Sequence, residues 1–570
     1  MNILTDLSLL LDPHSKFGIK WIIVEIFVIV FCYIFLKFSG LAPIIWKFII
    51  RIIDQIKRLI KGKKWMPYLF LMIIGLAFLL LNFSLQKPYP KVLDEYGHLL
   101  IADNLVNGKI ASPTHSEYEF FESIFVLHQP SFTGKYPPGQ GMLLAIGIKL
   151  FGHPIAGVWI TYLLAAFATY WFLRYFMTQG WSLFGALLIF FHGKLLADWG
   201  MTYWGGSPAM LGSALFFGSL FRIKDSITFK NAILMAVGII LMFYNRPYES
   251  ALTLLPALGF LIVFIFNYIK NNRIKEVLKN LIIKLIVPVG VLMIAMLAFI
   301  FYYNQQITVE PLNFPHAEYS RQYEIVRPFV FQHVNEPPNY SYPEIAQYNE
   351  RDYENHVKTR YGIRGYLYGF MVKIIYYWSY FFGLLFSIPL IFYFKDKIKK
   401  YEGFILFTIG FVFLGSTLVT YEWSHYFSVI TPLFILLIMR GFISFEGWVS
   451  KSRNLLYLFL SVLVLILLQP VFGSISHIDS NKRSFAAHRE RMKAKLKNTE
   501  GKHLVFVKYE PGHNVVYEWV YNDTNIDDSK IVWARYLGDD KNKELLDYYN
   551  NSRQVWKVFP DRIPPVIQPY

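Results

Sequence analysis

The chain has 570 residues, of which 55% are hydrophobic and 18% aromatic, while only 17% carry charge. A mean hydropathy of +0.36 excludes an ordinary soluble multidomain protein. The formal net charge of +17 would suit a nucleic-acid binder, but Lys and Arg cluster in short segments between apolar runs, as in the cytoplasmic loops of a membrane protein.

Taken in chain order, runs long enough to cross about 30 Å of hydrocarbon lie near 20–38, 66–84, 154–176, 181–198 and 206–222. Others follow near 229–245, 248–268, 281–303, 366–394, 402–420, 425–444 and 453–473, so about twelve spans are expected. The first run carries Glu25 and lacks both a basic leader and a small-residue cleavage site; it reads as a retained transmembrane helix. The single cysteine, Cys32, lies in that run, which excludes an intrachain disulfide and a Cys-based metal cluster.

Basic residues mark alternate loops: Arg51, Lys57, Arg58, Lys61, Lys63 and Lys64, then Arg222, Lys224 and Lys230, then Lys270, Arg273, Lys275 and Lys279. Lys395, Lys397, Lys399 and Lys400, followed by Lys451 and Arg453, keep the same parity. With these loops cytoplasmic, both termini lie outside, as do 85–153, 199–205, Asn245 to Glu249, 304–365 and 421–425. The expected location is a bacterial plasma (inner) membrane with an extracytoplasmic site. From about Gly473 the composition turns polar. His503 to Tyr509, Val515 to Val520, Ile531 to Tyr536 and Val555 to Phe559 read as strands, and Lys541 to Asn550 as a helix, giving a small α/β unit. The fold class is therefore an all-α polytopic membrane domain with a small C-terminal α/β extracytoplasmic domain. The divisions are 1–65 (a first span and basic loop), 66–473 (the membrane domain with outer loops 85–153 and 304–365) and 474–570 (the outer domain).

Chemistry is expected where the outer segments meet. Asp94 and Glu95 stand directly beyond the second span, where a carboxylate can act as general base on an acceptor hydroxyl at headgroup level. Neighbours on a helix diverge by about 100°, which assigns the base role to Asp94 and a binding or orienting role to Glu95. A solvated acidic pair at a helix start is the structural alternative.

Arg246, in Asn245-Arg246-Pro247-Tyr248-Glu249, runs against the positive-inside bias and suits a lipid phosphate; an ion pair with Glu249 competes with that reading. Lys373 is a second candidate phosphate ligand, with snorkelling as its alternative. Tyr203 and Trp204, ahead of Gly205-Gly206, offer aromatic faces to a sugar or anchors at the interface. Tyr248, Glu249 and His425 complete the substrate-binding candidates. Lys194 and Asp198, four residues apart, share a helix face. The 304–365 loop, with its many Tyr residues, reads as a lid over an acceptor or as packing against the outer domain. No spacing in the chain argues for a metal; no cofactor is required, and a divalent ion stays open.

Asp94-Glu95-Tyr96, then Ala102, Leu105 and Gly108, then Tyr136-Pro137-Pro138-Gly139 before Leu150-Phe151-Gly152 resembles the first outer loop of the GT-C membrane glycosyltransferases. The nearest branch holds protein O-mannosyltransferases and lipid A aminoarabinose transferases. That resemblance implies a polyprenyl-phosphate sugar donor, inversion, and an acidic catalytic residue at Asp94 or Glu95. It places Lys135 on the donor phosphate and Tyr136 at the substrate, although Tyr136 stands where the family often has Lys directly before the paired prolines. The implied partners are the lipid-linked donor, a glycan, lipid or protein acceptor and the bilayer, with no nucleic acid. A transporter or flippase of lipid-linked glycans is the rival reading; it favours charges near the midplane and repeated halves, which the sequence does not offer.

Overall fold

The computed structural model describes residues 19–85, 87–271, 279–360, 362–395, 398–482 and 484–570. Arg273, Lys275 and Lys397, expected in basic loops, lie outside the described residues. The architecture is mainly helical. Among the described residues, six helices are long and apolar enough to cross a membrane, and nine spans result if each of three bent pairs counts once.

Three of the expected spans fall outside that count. Phe229–Phe243 and Lys400–Ser416 have 15 and 17 residues, short of the about 20 needed for a straight crossing. Ser207–Asp225 is buried almost throughout: helices rather than lipid surround it, so close fit matters more than hydropathy. A Cβ on Gly212 would stand 2.6 Å from the Gly238 carbonyl oxygen on Phe229–Phe243.

The basic segment after the first span, expected as a loop, is helical over Ala42–Ile60 and turns 100° from the preceding helix. It carries Lys47, Arg51, Asp54, Lys57 and Arg58, and a charged side chain at the bilayer centre costs about 2.5–3.5 kcal/mol or more. Re-entry into hydrocarbon is thereby disfavoured. Glu25 on the first span accepts the N–H of Leu384 at 3.0 Å, satisfying a backbone donor where Gly362–Phe381 and Gly383–Tyr393 meet at 91°.

The segments 85–153, 199–205, 304–365 and 421–425 converge on one end of the bundle. Tyr203 N–H bonds Glu95 at 2.9 Å, and Thr420 N–H bonds the Pro328 carbonyl at 2.7 Å. The 304–365 segment is not one open loop but carries two helices, Pro315–Tyr323 and Pro343–Arg360. It contacts both the 421–425 turn and the C-terminal unit: Tyr421 OH donates to Asp352 at 2.8 Å, and the Arg535 guanidinium lies 3.4 Å from the centre of the Tyr342 ring.

The C-terminal unit has a four-stranded sheet in the order Ile531–Arg535, His503–Val507, Gln554–Phe559, Val566–Pro569. Pairing is parallel among the first three and antiparallel at the last. Asp539–Tyr549 is the expected helix. Val515 to Val520 is not a strand: Arg489 donates to the carbonyls of Trp519 and Tyr521, while the Glu518 carboxylate accepts the N–H groups of Trp519 and Val520. Side chains thus take the backbone groups a sheet neighbour would use. Stacked Tyr96 and Tyr521 rings, 3.8 Å apart, fix this unit to the first outer loop.

Candidate functional site

The Leu93–Val106 helix carries the acidic pair in its first turn, where carboxylates meet unpaired N–H groups. Glu95 is 1% exposed. Its carboxylate accepts N–H bonds from Lys91 at 2.5 Å, Val92 at 3.1 Å and Tyr203 at 2.9 Å. Burial pushes its pKa up, and those donors pull the other way. Glu95 therefore ties the helix start to the Tyr203 segment. Asp94, one residue earlier, points elsewhere: Oδ1 accepts the Tyr136 hydroxyl at 2.6 Å. Its Oδ2 has no hydrogen-bond partner among the described residues. Burial, then the Asp94 charge, push the Tyr136 pKa well up, so Tyr136 stays a protonated donor to Asp94.

The Tyr136-Pro137-Pro138-Gly139 segment carries Asp94's partner to the Arg246 turn. Pro138 opens the Pro138–Phe151 helix, as its fixed φ and missing N–H favour. Gly139 N–H bonds the Tyr244 carbonyl at 2.9 Å, and the Tyr303 hydroxyl holds the Tyr136 carbonyl at 3.0 Å. Two residues after Tyr244, the Arg246 guanidinium lies 5.2 Å from the Tyr426 ring centre. Among the described residues, no carboxylate oxygen lies within 4.0 Å of the Arg246 side chain, so the alternative ion pair with Glu249 does not form.

The other two candidate cations are engaged. Lys135, 4% exposed, meets Glu324 at 2.8 Å and lies 3.7 Å above the Phe125 ring. Lys373 donates to the carbonyls of Ser416, at 3.0 Å, and Val419. Lys194 donates to the Ser379 carbonyl at 2.7 Å.

Of the aromatic candidates, Tyr203 serves the framework: its hydroxyl bonds the Pro88 carbonyl at 2.8 Å, and its own carbonyl accepts Gln140 at 2.9 Å. Tyr248 OH is taken by the Gly415 carbonyl at 2.8 Å, and Glu249 is buried. Trp204 packs edge-on against Trp423 and His425, at 5.2 and 4.5 Å between ring centres. Trp204 Nε1 and His425 Nδ1 are buried without a hydrogen-bond partner, which suits polar groups awaiting a ligand.

His98 was not singled out by sequence reasoning, although it follows Asp94 by four residues on the same helix face. Its ring lies 4.3 Å from that of Tyr136, and its Nδ1 is buried and unpartnered. Burial, then the Arg246 charge, push its pKa down to about 3, so it is neutral near pH 7. Tyr426 and Glu324 were missed as well; no local pattern marks them, because each meets its partner across the fold. No group of three His, Cys, Asp or Glu able to hold a metal ion occurs among the described residues.

Asp94, Tyr136 and His98 thus form one group, and the His425 ring, 5.0 Å from that of Tyr426, sets the Trp204–His425 pair beside Arg246. Solved structures similar to this chain share little of its sequence but cover most of its length. The chain is similar to the crystal structure of ArnT from Cupriavidus metallidurans bound to undecaprenyl phosphate, at 9% identity and a TM-score of 0.48, covering 87% of this chain and 93% of that one. It is also similar to the oligosaccharyltransferase of Archaeoglobus fulgidus in its apo form, at 12% identity and a TM-score of 0.36, covering 78% and 63%. No protein-family description matches the sequence, nor does any curated protein. At these values the functional reading rests on the site's own atoms.

Proposed function

We propose that this chain is an integral membrane glycosyltransferase that moves a sugar, hexosyl or pentosyl, from a polyprenyl-phosphate donor to an acceptor hydroxyl with inversion, its site and termini facing away from the cytoplasm of a bacterial inner membrane. One observation carries the reading: a carboxylate with an open oxygen, Asp94, is held by Tyr136 beside His98, and the segment that carries Tyr136 is bonded through Gly139 to the turn that carries Arg246, a guanidinium with no carboxylate within 4.0 Å among the described residues. That pairing of an anion and a cation fits a reaction that needs a base at one end and develops negative charge at the other.

In the proposed step Asp94 Oδ2 takes the proton of the acceptor hydroxyl while its oxygen bonds the anomeric carbon. The bond from that carbon to the phosphate oxygen breaks, and its electron pair leaves with the polyprenyl phosphate. Arg246 meets the departing dianion, and Tyr136 holds Asp94 by its other oxygen. Trp204 and His425 would contact the sugar through their unpartnered N atoms. Glu95 becomes an orienting residue, since its oxygens are taken by backbone donors. Lys135, already met by Glu324, supports the site wall rather than the phosphate, and Lys373 braces the 416–419 turn. The alternation of basic loops supports twelve crossings, the nine above together with Ser207–Asp225, Phe229–Phe243 and Lys400–Ser416.

The test is transfer in vitro from a panel of polyprenyl-phosphate sugars, comparing the parent with Asp94→Asn. Loss of turnover in the variant with the donor still bound is expected. Equal turnover in both removes Asp94 from the base role, and lipid-glycan translocation without transfer by the parent establishes the transporter reading instead.

A further inference from the structure

We infer that the Ala42–Ile60 helix is a membrane-surface element selecting acidic phospholipid on the face opposite Asp94. This does not depend on the glycosyl-transfer reading. The helix follows a span and precedes Met66–Leu85, whose 20 residues rise about 30 Å as a helix before the chain reaches Asp94. It is therefore separated from the candidate site by the thickness of the hydrocarbon layer.

Three sectors run along its surface. Ile45, Trp46 and Ile49 pack against Leu36, Leu456 and Leu460 of the bundle. At 100° per residue, Phe48, Ile52 and Leu59 form a neighbouring stripe, exposed by 59%, 38% and 59%. Lys47, Arg51 and Arg58 form the next, falling within about 40° of one another. Asp54 is met by Lys57 at 3.6 Å. Among the described residues, Lys47, Arg51 and Arg58, with Lys61, Lys63 and Lys64 just beyond, have no carboxylate within 4.0 Å.

An apolar stripe beside an uncompensated cationic one, on a helix held between two spans, matches a lipid surface: acyl chains cover Phe48, Ile52 and Leu59, and headgroup phosphates meet the cations. Neutral lipid would satisfy the first stripe alone, so the charge complement specifies an acidic headgroup. A protein partner would have to cover both stripes at the level where lipid already stands.

The full chain is purified in mixed micelles with equal phosphatidylglycerol and phosphatidylcholine, and the retained lipids are quantified. The parent is expected to enrich phosphatidylglycerol about fivefold or more. Lys47→Gln/Arg51→Gln/Arg58→Gln should fall close to parity at an unchanged unfolding temperature; should it not fold, Arg58→Gln alone should lose part of the enrichment. In a Cys32→Ser background, a fluorophore on Ile52→Cys should be quenched by brominated phosphatidylglycerol. Parity in the parent, enrichment indifferent to the substitutions, or a fluorophore untouched by brominated lipid overturns the inference.

Discussion

The backbone N–H of Gly139 donates to the Tyr244 carbonyl at 2.9 Å, and the fit is so close that a Cβ on Gly139 would stand 2.4 Å from Asn245 Nδ2 and 2.6 Å from that same carbonyl oxygen. This contact fixes the Asp94 side of the site against the Arg246 side. Gly139→Ala should destabilise the chain by about 1–3 kcal/mol and, because it pushes apart two segments that position substrate, lower kcat/KM beyond what unfolding explains. Thermal unfolding and transfer kinetics on the folded fraction check both parts.

Asp94 and Tyr136 should separate by size of effect. Removing a general base lowers the rate by about 10²–10⁴-fold, so Asp94→Asn should cut kcat to that degree with donor KM little moved. Tyr136→Phe deletes one hydrogen bond to a charged group, worth about 1.5–3 kcal/mol, and should retain more activity than Asp94→Asn. The reverse ranking in steady-state kinetics would move the chemistry away from Asp94.

Arg246 and Lys135 should behave differently. Arg246→Gln should raise donor KM and lower kcat, with Arg246→Lys recovering only part of the loss because an ammonium lacks the planar fork. Lys135→Met leaves Glu324 buried without its ion-pair partner, which costs about 3–5 kcal/mol; Lys135→Met/Glu324→Leu should regain stability. Unfolding temperatures of the single and double variants measure that recovery.

His98 makes stability depend on pH. Its pKa falls from 6.5 to about 3 on folding, through burial and then the Arg246 charge, so the unfolded chain binds the proton more tightly. The stabilisation from keeping His98 neutral is whole above pH 6.5 and declines as pH falls from there toward 3, by about 1.4 kcal/mol per unit. Between pH 7.5 and 5.5 the parent should lose more unfolding temperature than His98→Gln; matching slopes would show that His98 does not titrate this way.

Much of the fold was legible because it is written in local terms. The Met66–Leu85 and Pro154–Leu173 helices and the strands at His503, Ile531 and Gln554 came from runs of apolar or alternating residues, whose preferences depend on near neighbours. Ala42–Ile60 reads as a loop by its basic residues, although they recur with helical spacing. Val515 to Val520 has strand composition, yet Arg489 and Glu518 claim its backbone. Of the site, the start of a helix at Asp94 and the short turn at Arg246 could be read, and His98 could have been, from its four-residue offset to Asp94.

The sequence alone determined which segments are apolar enough to enter a membrane and where acidic and basic residues fall between them, because transfer from water to hydrocarbon is summed residue by residue along the chain. Only the tertiary structure decided which charges are engaged. Lys135 and Glu324 stand 189 positions apart and meet in an ion pair, whereas Arg246, three residues from Glu249, acts on it only through charge, with no contact within 4.0 Å. Coulomb attraction depends on distance and burial in space, and those are set by packing across the whole chain.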